Sequence, residues 1–472
     1  MSRRWRPLAL VAVALLGGCA SVGPDYAPPP LPARLDARPS SEFVSATSGA
    51  VVNTPLPTHW WKLYRDPRLD ALVAEGLAAN TDLRVAAANL ERAQAAVSEA
   101  RAVAGVQTTA DAGVTVGQTS TLGIAPASGV HPVTDLGAGI SYQLDVVGRL
   151  RRAIEAQVAS AAAQAAALDL ARTTVAAGIV DAYTAACAAG SQLAVGEQSL
   201  RLQRASLALS QRGAAGGIVA PIDVVRSRAL VAQLDAALPP LRRARAVSLF
   251  RLANLLGRSP DDVPAGLATC ATIPMIAQPL PVGNGAELIR RRPDIRQAER
   301  ELAAATALIG VETAALYPSV TLGASVGTTS RTIGGLFTGS GLNFSLGPLL
   351  SWSFPNRSVA RARVAQADAD ARAALARFDG VVLGALREAE VALTTYARDL
   401  EENERLRMVR DENRRALSLQ RRLRAGGTIS GLALLDVERS LASAESTVAA
   451  SDTRVAADRV TVFLALGGGW ER

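Results

Sequence analysis

Several residue types that mark common protein classes are scarce in this chain. Cysteine occurs 3 times in 472 residues, histidine 2 times, and Lys62 is the only lysine among 50 basic residues. So few cysteines exclude a disulfide framework, and without a Cys/His cluster the sequence offers no zinc site. A glycine-rich phosphate loop ending in Lys-Ser or Lys-Thr is also absent. We therefore expect neither catalysis nor a bound metal or cofactor.

The positive charge balance does not point to nucleic acid. The formal net charge is +8, but aromatic residues make up only 4% of the chain. The arginines are spread among Asp and Glu along helix-like segments, whereas a nucleic-acid surface gathers them into one patch. We interpret these arginines as solvated helix faces and expect no nucleic-acid partner.

The first residues have the pattern of an export signal. Three arginines precede an apolar run and small residues lead to a cysteine: Arg3, Arg4 and Arg6, then Leu8–Leu16, then Gly17-Gly18-Cys19. The run is too short for a membrane helix, which needs roughly 20 residues, so residues 1–18 are predicted to be a cleaved signal peptide. Leu-Gly-Gly-Cys resembles the bacterial lipobox, so we expect a covalent lipid on Cys19. Ala20 at the next position favours an outer-membrane address.

Two further cysteines, Cys187 and Cys270, lie far apart in the chain. They could form one bridge in an oxidising periplasm, but we expect two buried free thiols. Residues 19–59 are rich in Pro, Ser and Ala and are predicted to form a lipid-anchored, extended tether. Beyond the export signal, no segment has 18 consecutive apolar residues, so the sequence predicts no transmembrane helix.

The rest of the chain contains an internal sequence repeat. Asn80-Thr81-Asp82-Leu83-Arg84 parallels Arg292-Pro293-Asp294-Ile295-Arg296, and Asp223-Val224-Val225-Arg226-Ser227 parallels Asp436-Val437-Glu438-Arg439-Ser440. An internal repeat of this kind indicates two copies of one structural unit. We assign the first repeat to residues 60–258 and the second to residues 286–472, joined by a Pro-rich linker at 259–285.

Each repeat contains a proline-free stretch, one at Leu150–Arg212 and one from Asn356 to the end of the chain. In the second, apolar residues recur at gaps of three and four, at Ala371, Leu375, Phe378, Val382, Ala385, Ala389, Leu393, Tyr396 and Leu400. This spacing is typical of a coiled-coil-like stripe. Helices of about 60 to 70 residues would be about 90–100 Å long, which a compact globular domain does not need. Helices alone would also fit a soluble coiled-coil rod.

Each repeat also contains two segments in which apolar and polar residues alternate. They lie at about 106–117 and 136–146 in the first repeat, and at about 318–328 and 342–354 in the second. A period of two places the two sets on opposite faces of a strand, and about ten residues is the length of a membrane strand. The polar set is mostly small and uncharged, as on a wall that lines water. Aromatic residues join the apolar set of the last segment, which favours a membrane barrel over a half-buried soluble sheet.

Four strands are too few to close a membrane barrel. The smallest single-chain barrels have about eight strands, and an open sheet edge in lipid would leave backbone groups unpaired. Several chains must therefore share one barrel, and three copies would supply twelve strands.

Several motifs together carry a resemblance to a known family. They are Val22-Gly23-Pro24-Asp25-Tyr26, Trp60-Trp61-Lys62-Leu63-Tyr64-Arg65-Asp66-Pro67, Tyr142-Gln143-Leu144-Asp145, Arg291-Arg292-Pro293-Asp294-Ile295-Arg296 and Ala315-Leu316-Tyr317-Pro318. With them the chain resembles the TolC-like outer membrane factors, specifically the NodT-type efflux lipoproteins. The resemblance implies a mainly α fold with a membrane β-barrel part. Four strands per chain would enter a shared trimeric 12-stranded barrel, continued by a long α-helical barrel built from the two repeats.

The resemblance also implies a function and partners. The chain would be the outer-membrane channel subunit of a tripartite efflux system, a homotrimer held in outer-membrane lipid. It would give passive exit to small molecules that an inner-membrane pump and a periplasmic adaptor protein deliver. Two alternatives are a protein-secretion duct of the same fold and a lipid-anchored periplasmic coiled-coil scaffold without a pore. The lipobox favours efflux over secretion, and a scaffold would not need four amphipathic strands.

Two glycine-containing turns interrupt the long helices, and in similar proteins such turns face the periplasm, close the resting channel and meet the adaptor. The residues that the resemblance implies for adaptor contact are Gly216, Gly217, Gly426 and Gly427, and those for a periplasmic gate are Asp436, Asp223 and Arg424. Ala433 stands where similar proteins carry a second aspartate, and Gly427 is an extra residue, so the gate is expected to be held differently here. The alternative role for both aspartates is helix N-capping and first-turn charge.

The substitution Cys19→Ser should abolish the incorporation of a radioactive or clickable fatty acid, because the thiol is the atom that carries the lipid. Labelling is compared between wild type and variant in growing cells. Labelling that persists in the variant would show that the lipobox prediction is wrong. One acyl chain holds a protein only weakly, so we expect Cys19→Ser behind a substitute cleavable signal to reach the outer membrane through its barrel.

Overall fold

The computed structural model describes residues 21–29, 43–45, 49–117, 129–263, 266–276, 279–352, 357–425 and 431–468. These residues form two compact units. The sheet unit draws on the described residues within Met1–Pro30, Asn89–Ala165 and Gln297–Phe378, and the helical unit on those within Leu31–Ala88, Ala166–Arg296 and Asp379–Arg472. Each unit takes residues from both halves of the sequence, so a compact unit is not a sequence repeat.

Helices make up most of the described chain. In chain order the elements are β1 (Val51–Val52), α1 (Pro67–Ala79), α2 (Thr81–Val103), β2 (Gln107–Gly117), β3 (His131–Leu144), α3 (Arg149–Ala215), α4 (Pro221–Ala236), α5 (Leu238–Leu255), β4 (Leu280–Pro281), α6 (Gly285–Arg291), α7 (Pro293–Ala314), β5 (Ser319–Ser330), β6 (Leu342–Ser351), α8 (Arg357–Ala425) and α9 (Gly431–Ala465). Short 3-10 turns occur at Trp60–Tyr64, Leu267–Thr269 and Ile333–Phe337.

The two longest helices fall in the proline-free stretches. Helix α3 has 67 residues and α8 has 69, so each is about 100 Å long. This confirms the prediction of two very long helices. Among the described residues, no helix is both long and apolar enough to cross a membrane.

In the sheet unit, four strands form one antiparallel sheet in the order β2-β3-β5-β6. Residues that pair across strands share a face of the sheet. One cross-strand row is Thr108, Ile140, Ala324 and Leu346, and the next is Thr109, Gly139, Ser325 and Ser345. The register therefore gathers the apolar sets of all four strands on one face and the small polar sets on the other, as the alternation predicts.

Strand β3 begins at His131, earlier than the predicted start near residue 136. Pro132 pairs with Val116 and Val133 with Thr115, so the ladder with β2 extends through these residues. The alternation does not predict this extension, because Val133 and Thr134 reverse the apolar–polar order of the rest of the strand.

Among the described residues, β2 and β6 each have one neighbour in the sheet, so each presents an unpaired edge. The apolar face is uncovered as well: Leu346 on β6 is 85% exposed in the single chain. A sheet with free edges and an uncovered apolar face is incomplete without other molecules.

In the helical unit, the Trp-Trp motif forms part of the core. Trp60 is fully buried and stacks on Phe463 of α9 with ring centroids 4.5 Å apart. Asp66, at the end of the same motif, caps α1 by accepting a hydrogen bond from the Arg68 N–H at 3.0 Å. The Tyr183 hydroxyl on α3 donates to the other oxygen of Asp66 at 2.5 Å, which ties α1 to the long helix.

The two sequence repeats make equivalent hydrogen bonds in the structure. Asn80 precedes α2, and its amide nitrogen donates to the carbonyl oxygen of Leu255, the last residue of α5, at 2.9 Å. Arg292 precedes α7, and its Nη1 donates to the carbonyl oxygen of Ala465, the last residue of α9, at 2.7 Å. Carbonyls at helix ends lack partners within the helix, so these side chains satisfy equivalent groups in the two halves.

Our expectation of free thiols is wrong. Cys187 on α3 and Cys270 in the inter-repeat linker form a disulfide with their Cα atoms 4.8 Å apart. The two residues are separated by 83 positions, and the sequence does not show which face of α3 the linker meets. The bond fastens the linker to the long helix.

Arginine substitutions on the two sheet faces test which face meets lipid. Ile140→Arg and Leu346→Arg should each destabilise the assembled protein by about 2–4 kcal/mol near a bilayer midplane. Ser141→Arg and Ser345→Arg are matched controls on the same strands, and they should assemble normally and change conductance. The measurement is the heat stability of the oligomer on gels run without boiling. Equal loss of the oligomer from both pairs would argue against a water-filled barrel.

Candidate functional site

The predicted lipid site, Cys19, lies outside the described residues, but the segment that follows it is held firmly in the sheet unit. The Val22 N–H donates to the carbonyl oxygen of Val147 at 3.0 Å, between β3 and α3. Arg152, near the start of α3, donates from Nε to the Val22 carbonyl at 3.2 Å and from Nη2 to the Asp25 carboxylate at 2.6 Å. The Arg152 side chain is only 5% exposed, so this segment covers it.

The same segment also packs on α7. A Cβ atom on Gly310 would lie 2.8 Å from the Val22 carbonyl oxygen, so a larger residue would displace the segment. The Tyr26 hydroxyl donates to the Glu299 carboxylate at 2.6 Å, and burial, together with this hydrogen bond, raises the pKa of Tyr26. Residues 21–26, which we call the anchor segment, are thus fixed beside the junction of β3 and α3.

The polar face of the sheet carries two carboxylates. Asp111 on β2 lies against Gly137 on β3, and Asp135 on β3 accepts a hydrogen bond from the Thr329 hydroxyl on β5 at 3.1 Å. On the same face, four residues before Thr329 along β5, the hydroxyl groups of Ser325 and Ser345 hydrogen-bond to each other at 2.9 Å. A face of small hydroxyl and glycine residues with these two acids can line water.

The first predicted turn lies between α3 and α4. The Ile218 N–H donates to the carbonyl oxygen of Gly213 at 2.8 Å, and Gly217 has a φ of +70°. This positive φ is the left-handed conformation that ends many helices and favours glycine. Ile218 is 81% exposed at the turn. Gly216 and Gly217 therefore lie in the turn between the two helices, as the sequence predicts, whereas Gly426 and Gly427 lie outside the described residues.

The two candidate gate aspartates differ in position. Asp223 lies in the first turn of α4, 3.9 Å from Arg226, and Ala220 is the N-cap. Asp436 lies beyond the first turn of α9 and pairs with Arg439 at 3.4 Å. The N-capping alternative is therefore wrong for both, because Pro221 and Gly431 start the two helices upstream of the aspartates. First-turn charge applies to Asp223 alone.

Side chains from both repeats share a groove between α4 and α9. Arg226 of the first repeat and Asp436 and Arg439 of the second line this groove, which has a volume of about 440 Å³. Arg424, the third candidate gate residue, lies in the last turn of α8. Arg226 and Arg439 occupy the same position in the repeated Asp-Val-x-Arg-Ser motif, so the structure brings equivalent residues of the two repeats together.

A pair of carboxyl groups that no sequence pattern indicates lies between α8 and α9. Asp458 on α9 lies near Asp399 on α8, and burial, together with the carboxyl group of Asp399, raises the pKa of Asp458 to about 7. Arg454 reaches Asp399 at 3.5 Å and Glu402 at 2.8 Å. Nothing in the sequence distinguishes Asp458 from the many acids on helix faces, because the pairing depends on the register of two helices.

Asp458 should make stability depend on pH. Its folded pKa lies above the ordinary value of 3.8, so the folded state keeps a proton that the unfolded chain has released. Stability from this group is therefore lost as pH rises from about 4 to about 7, and it levels off above that.

The substitution Asp458→Asn should flatten this dependence, because the amide has the size of the carboxyl group and stays neutral at every pH tested. Thermal unfolding followed by circular dichroism at pH 5, 6, 7 and 8 measures the slope. Asp411→Asn, an exposed acid on α8, is the control and should keep the wild-type slope. An unchanged slope in Asp458→Asn would contradict the raised pKa of Asp458.

Comparison with known proteins places the chain in a family. A family model described as "Outer membrane efflux protein" matches residues 72–258 and 285–468. Nodulation protein T of Rhizobium leguminosarum bv. viciae is 32% identical over 99% of this chain and 94% of its own length. Outer membrane protein OprJ of Pseudomonas aeruginosa is 30% identical over 98% of this chain and 95% of its own length.

A solved structure agrees with these matches. The outer-membrane channel OprN superimposes with a TM-score of 0.87 and 33% sequence identity, over 95% of this chain and 99% of that chain. These findings confirm the resemblance to NodT-type outer membrane factors that the motifs indicate. The chain therefore belongs to the outer membrane efflux protein family and is an outer-membrane channel protein.

Proposed function

We propose that three copies of this chain form the exit duct of a tripartite efflux system, through which small molecules pass from a pump and an adaptor protein. The observation that carries this proposal is the four-stranded sheet with two unpaired edges, one apolar face and one small polar face. Joining β6 of one copy to β2 of the next would satisfy both edges and leave water inside.

The names of relatives support small-molecule cargo. One relative in Pseudomonas putida is named for toluene efflux and another for pyoverdine export. These cargoes differ widely in polarity, which suits a duct that supplies a route while its partners select the substrate.

The anchor segment supports a lipid on Cys19. Cys19 lies two positions before Ser21, and a chain of two residues spans at most about 7 Å. A Cβ on Gly148 would lie 2.7 Å from the Ser21 Cα, so the lipid-bearing residue would start close to the end of β3. Its acyl chains would then enter the leaflet that faces the periplasm, beside the sheet.

The turns after α3 and α8 would form the periplasmic end of the duct and meet the adaptor. The exposed Ile218 beside Gly216 and Gly217 offers an apolar contact there, and Gly426 and Gly427 would form the matching turn of the second repeat. Asp223 lies in the first turn of α4 and Arg424 in the last turn of α8, whereas Asp436 lies just beyond the first turn of α9. In a trimer, the carboxylates would repeat around the axis and attract cations.

The proposal is tested with the full-length protein in planar lipid bilayers. We expect ion conduction by purified trimers, in uniform steps. Oligomers that insert and never conduct, or an active species of one chain, would overturn the proposal.

The substitution Asp436→Ala should lower the preference of these channels for cations, because it removes one carboxylate per chain near the turn. Reversal potentials in a salt gradient give the selectivity. Asp368→Ala is the matched control, since Asp368 is also exposed and paired with an arginine but lies near the start of α8. If both variants keep the wild-type selectivity, Asp436 does not line the pore entrance.

A further inference from the structure

The connection between β5 and β6 carries two large apolar side chains that are mostly exposed. Both belong to the 3-10 turn Ile333–Phe337, which we call the outer turn. Ile333 is 72% exposed and Phe337 is 83% exposed in the single chain. Removing such side chains from water is favourable, and exposed apolar groups beside a larger apolar surface mark contact with a partner. The kind of partner follows from the face of the sheet on which the outer turn lies.

The outer turn is folded onto the apolar face of the sheet. Thr328 lies in a cross-strand row with Leu136 on that face, and its hydroxyl donates to the carbonyl oxygen of Leu336 in the turn at 2.8 Å. Ser330 is the next residue of β5 on the same face, and a Cβ atom on Gly335 would overlap its hydroxyl oxygen. Glycine at this position therefore lets the backbone of the turn lie directly against the apolar face.

The residue between these two contacts shows where the polar face lies. The Thr329 hydroxyl donates to the Asp135 carboxylate at 3.1 Å and accepts from the Asn343 amide at 3.4 Å. Successive side chains of a strand point to opposite faces, so Thr329 points away from the outer turn. The turn is thus fastened on the side opposite the residues that would line water.

Strand length places the outer turn near one surface of a bilayer. Helix α7 precedes β5 and α8 follows β6, so the outer turn lies at the other end of these two strands. Strand β5 has 12 residues and is about 36 Å long. A barrel strand tilted by about 35–45° would rise about 26–30 Å, close to the apolar band of about 25 Å in outer-membrane barrels. With the helices in the periplasm, the turn would lie at the boundary of the outer leaflet.

We propose that the outer turn is a second membrane contact of this chain, in which Ile333 and Phe337 insert among the acyl chains of outer-leaflet lipid. This inference rests on the shared barrel of the proposed function. The contact lies at the opposite end of the sheet from the lipid expected on Cys19, so each chain is held at both surfaces of the membrane. The turn belongs to the outside of the barrel wall and leaves the pore exit free.

An introduced cysteine can report where the outer turn lies, because Cys187 and Cys270 are bridged and Cys19 is expected to carry lipid. A nitroxide is attached to Ile333→Cys, with Leu346→Cys and Ser345→Cys as references for the apolar and polar faces. The full-length proteins are reconstituted in vesicles of phosphatidylethanolamine and phosphatidylglycerol. At Ile333→Cys, as at Leu346→Cys, oxygen dissolved in lipid should collide with the label more often than a water-soluble nickel complex does. The order should be reversed at Ser345→Cys.

A second measurement separates lipid contact from local damage to the turn. The rate at which a water-soluble maleimide modifies Ile333→Cys should rise roughly tenfold when Phe337→Ser is added, because the turn loses its largest apolar side chain. Phe337→Leu is the matched control. It keeps an apolar side chain and should leave the rate within about twofold of that with Phe337.

Three outcomes would overturn the lipid contact alone, provided that Leu346→Cys reports lipid. The first is a label at Ile333→Cys that meets nickel more often than oxygen, as on the polar face. The second is a label there that is shielded from both reagents. The third is an equal effect of Phe337→Ser and Phe337→Leu on the maleimide rate. A label at Leu346→Cys that meets nickel more often than oxygen would instead overturn the barrel, and the proposed function with it.

Discussion

The unpaired edges of β2 and β6 are the constraint on which the rest of this structure depends. An unpaired backbone N–H or C=O group in hydrocarbon costs several kcal/mol, so one copy of this sheet cannot enter a bilayer alone. Pairing between copies removes the cost only if the ring closes, and closure fixes which face meets lipid and which meets water. The apolar row through Ile140 and Leu346 and the polar row through Ser325 and Ser345 are built for that division.

Outside the sheet, arginine side chains join segments that are distant in the sequence. Arg152 holds the anchor segment through Val22 and Asp25, Arg292 joins Asp294, Glu388 and the end of α9, and Arg421 on α8 pairs with Glu438 on α9. A guanidinium offers five donors in a fixed fork and stays charged when covered, whereas an ammonium is a flexible point charge. The near absence of lysine fits a protein whose basic residues serve as multi-partner connectors.

Strand alternation and helix length could be predicted because both are local periodicities, and the observed register places Ile140 and Leu346 in one row, as the alternation requires. Contacts between segments that lie far apart in the sequence could not be predicted. Cys187 and Cys270 form a bridge that no spacing shows, and the Pro-rich composition around Asp25 indicates a tether although Arg152 binds it.

Closure between copies is tested most directly by a disulfide across the two free edges. Ala112→Cys on β2 is combined in turn with Phe344→Cys, Leu346→Cys or Leu350→Cys on β6, all on the apolar face. After oxidation in membranes, a denaturing gel without reductant should show a covalent trimer for at least one combination. A cross-link confined to single chains would show that β2 and β6 of one copy meet each other, and would contradict a barrel shared by three chains.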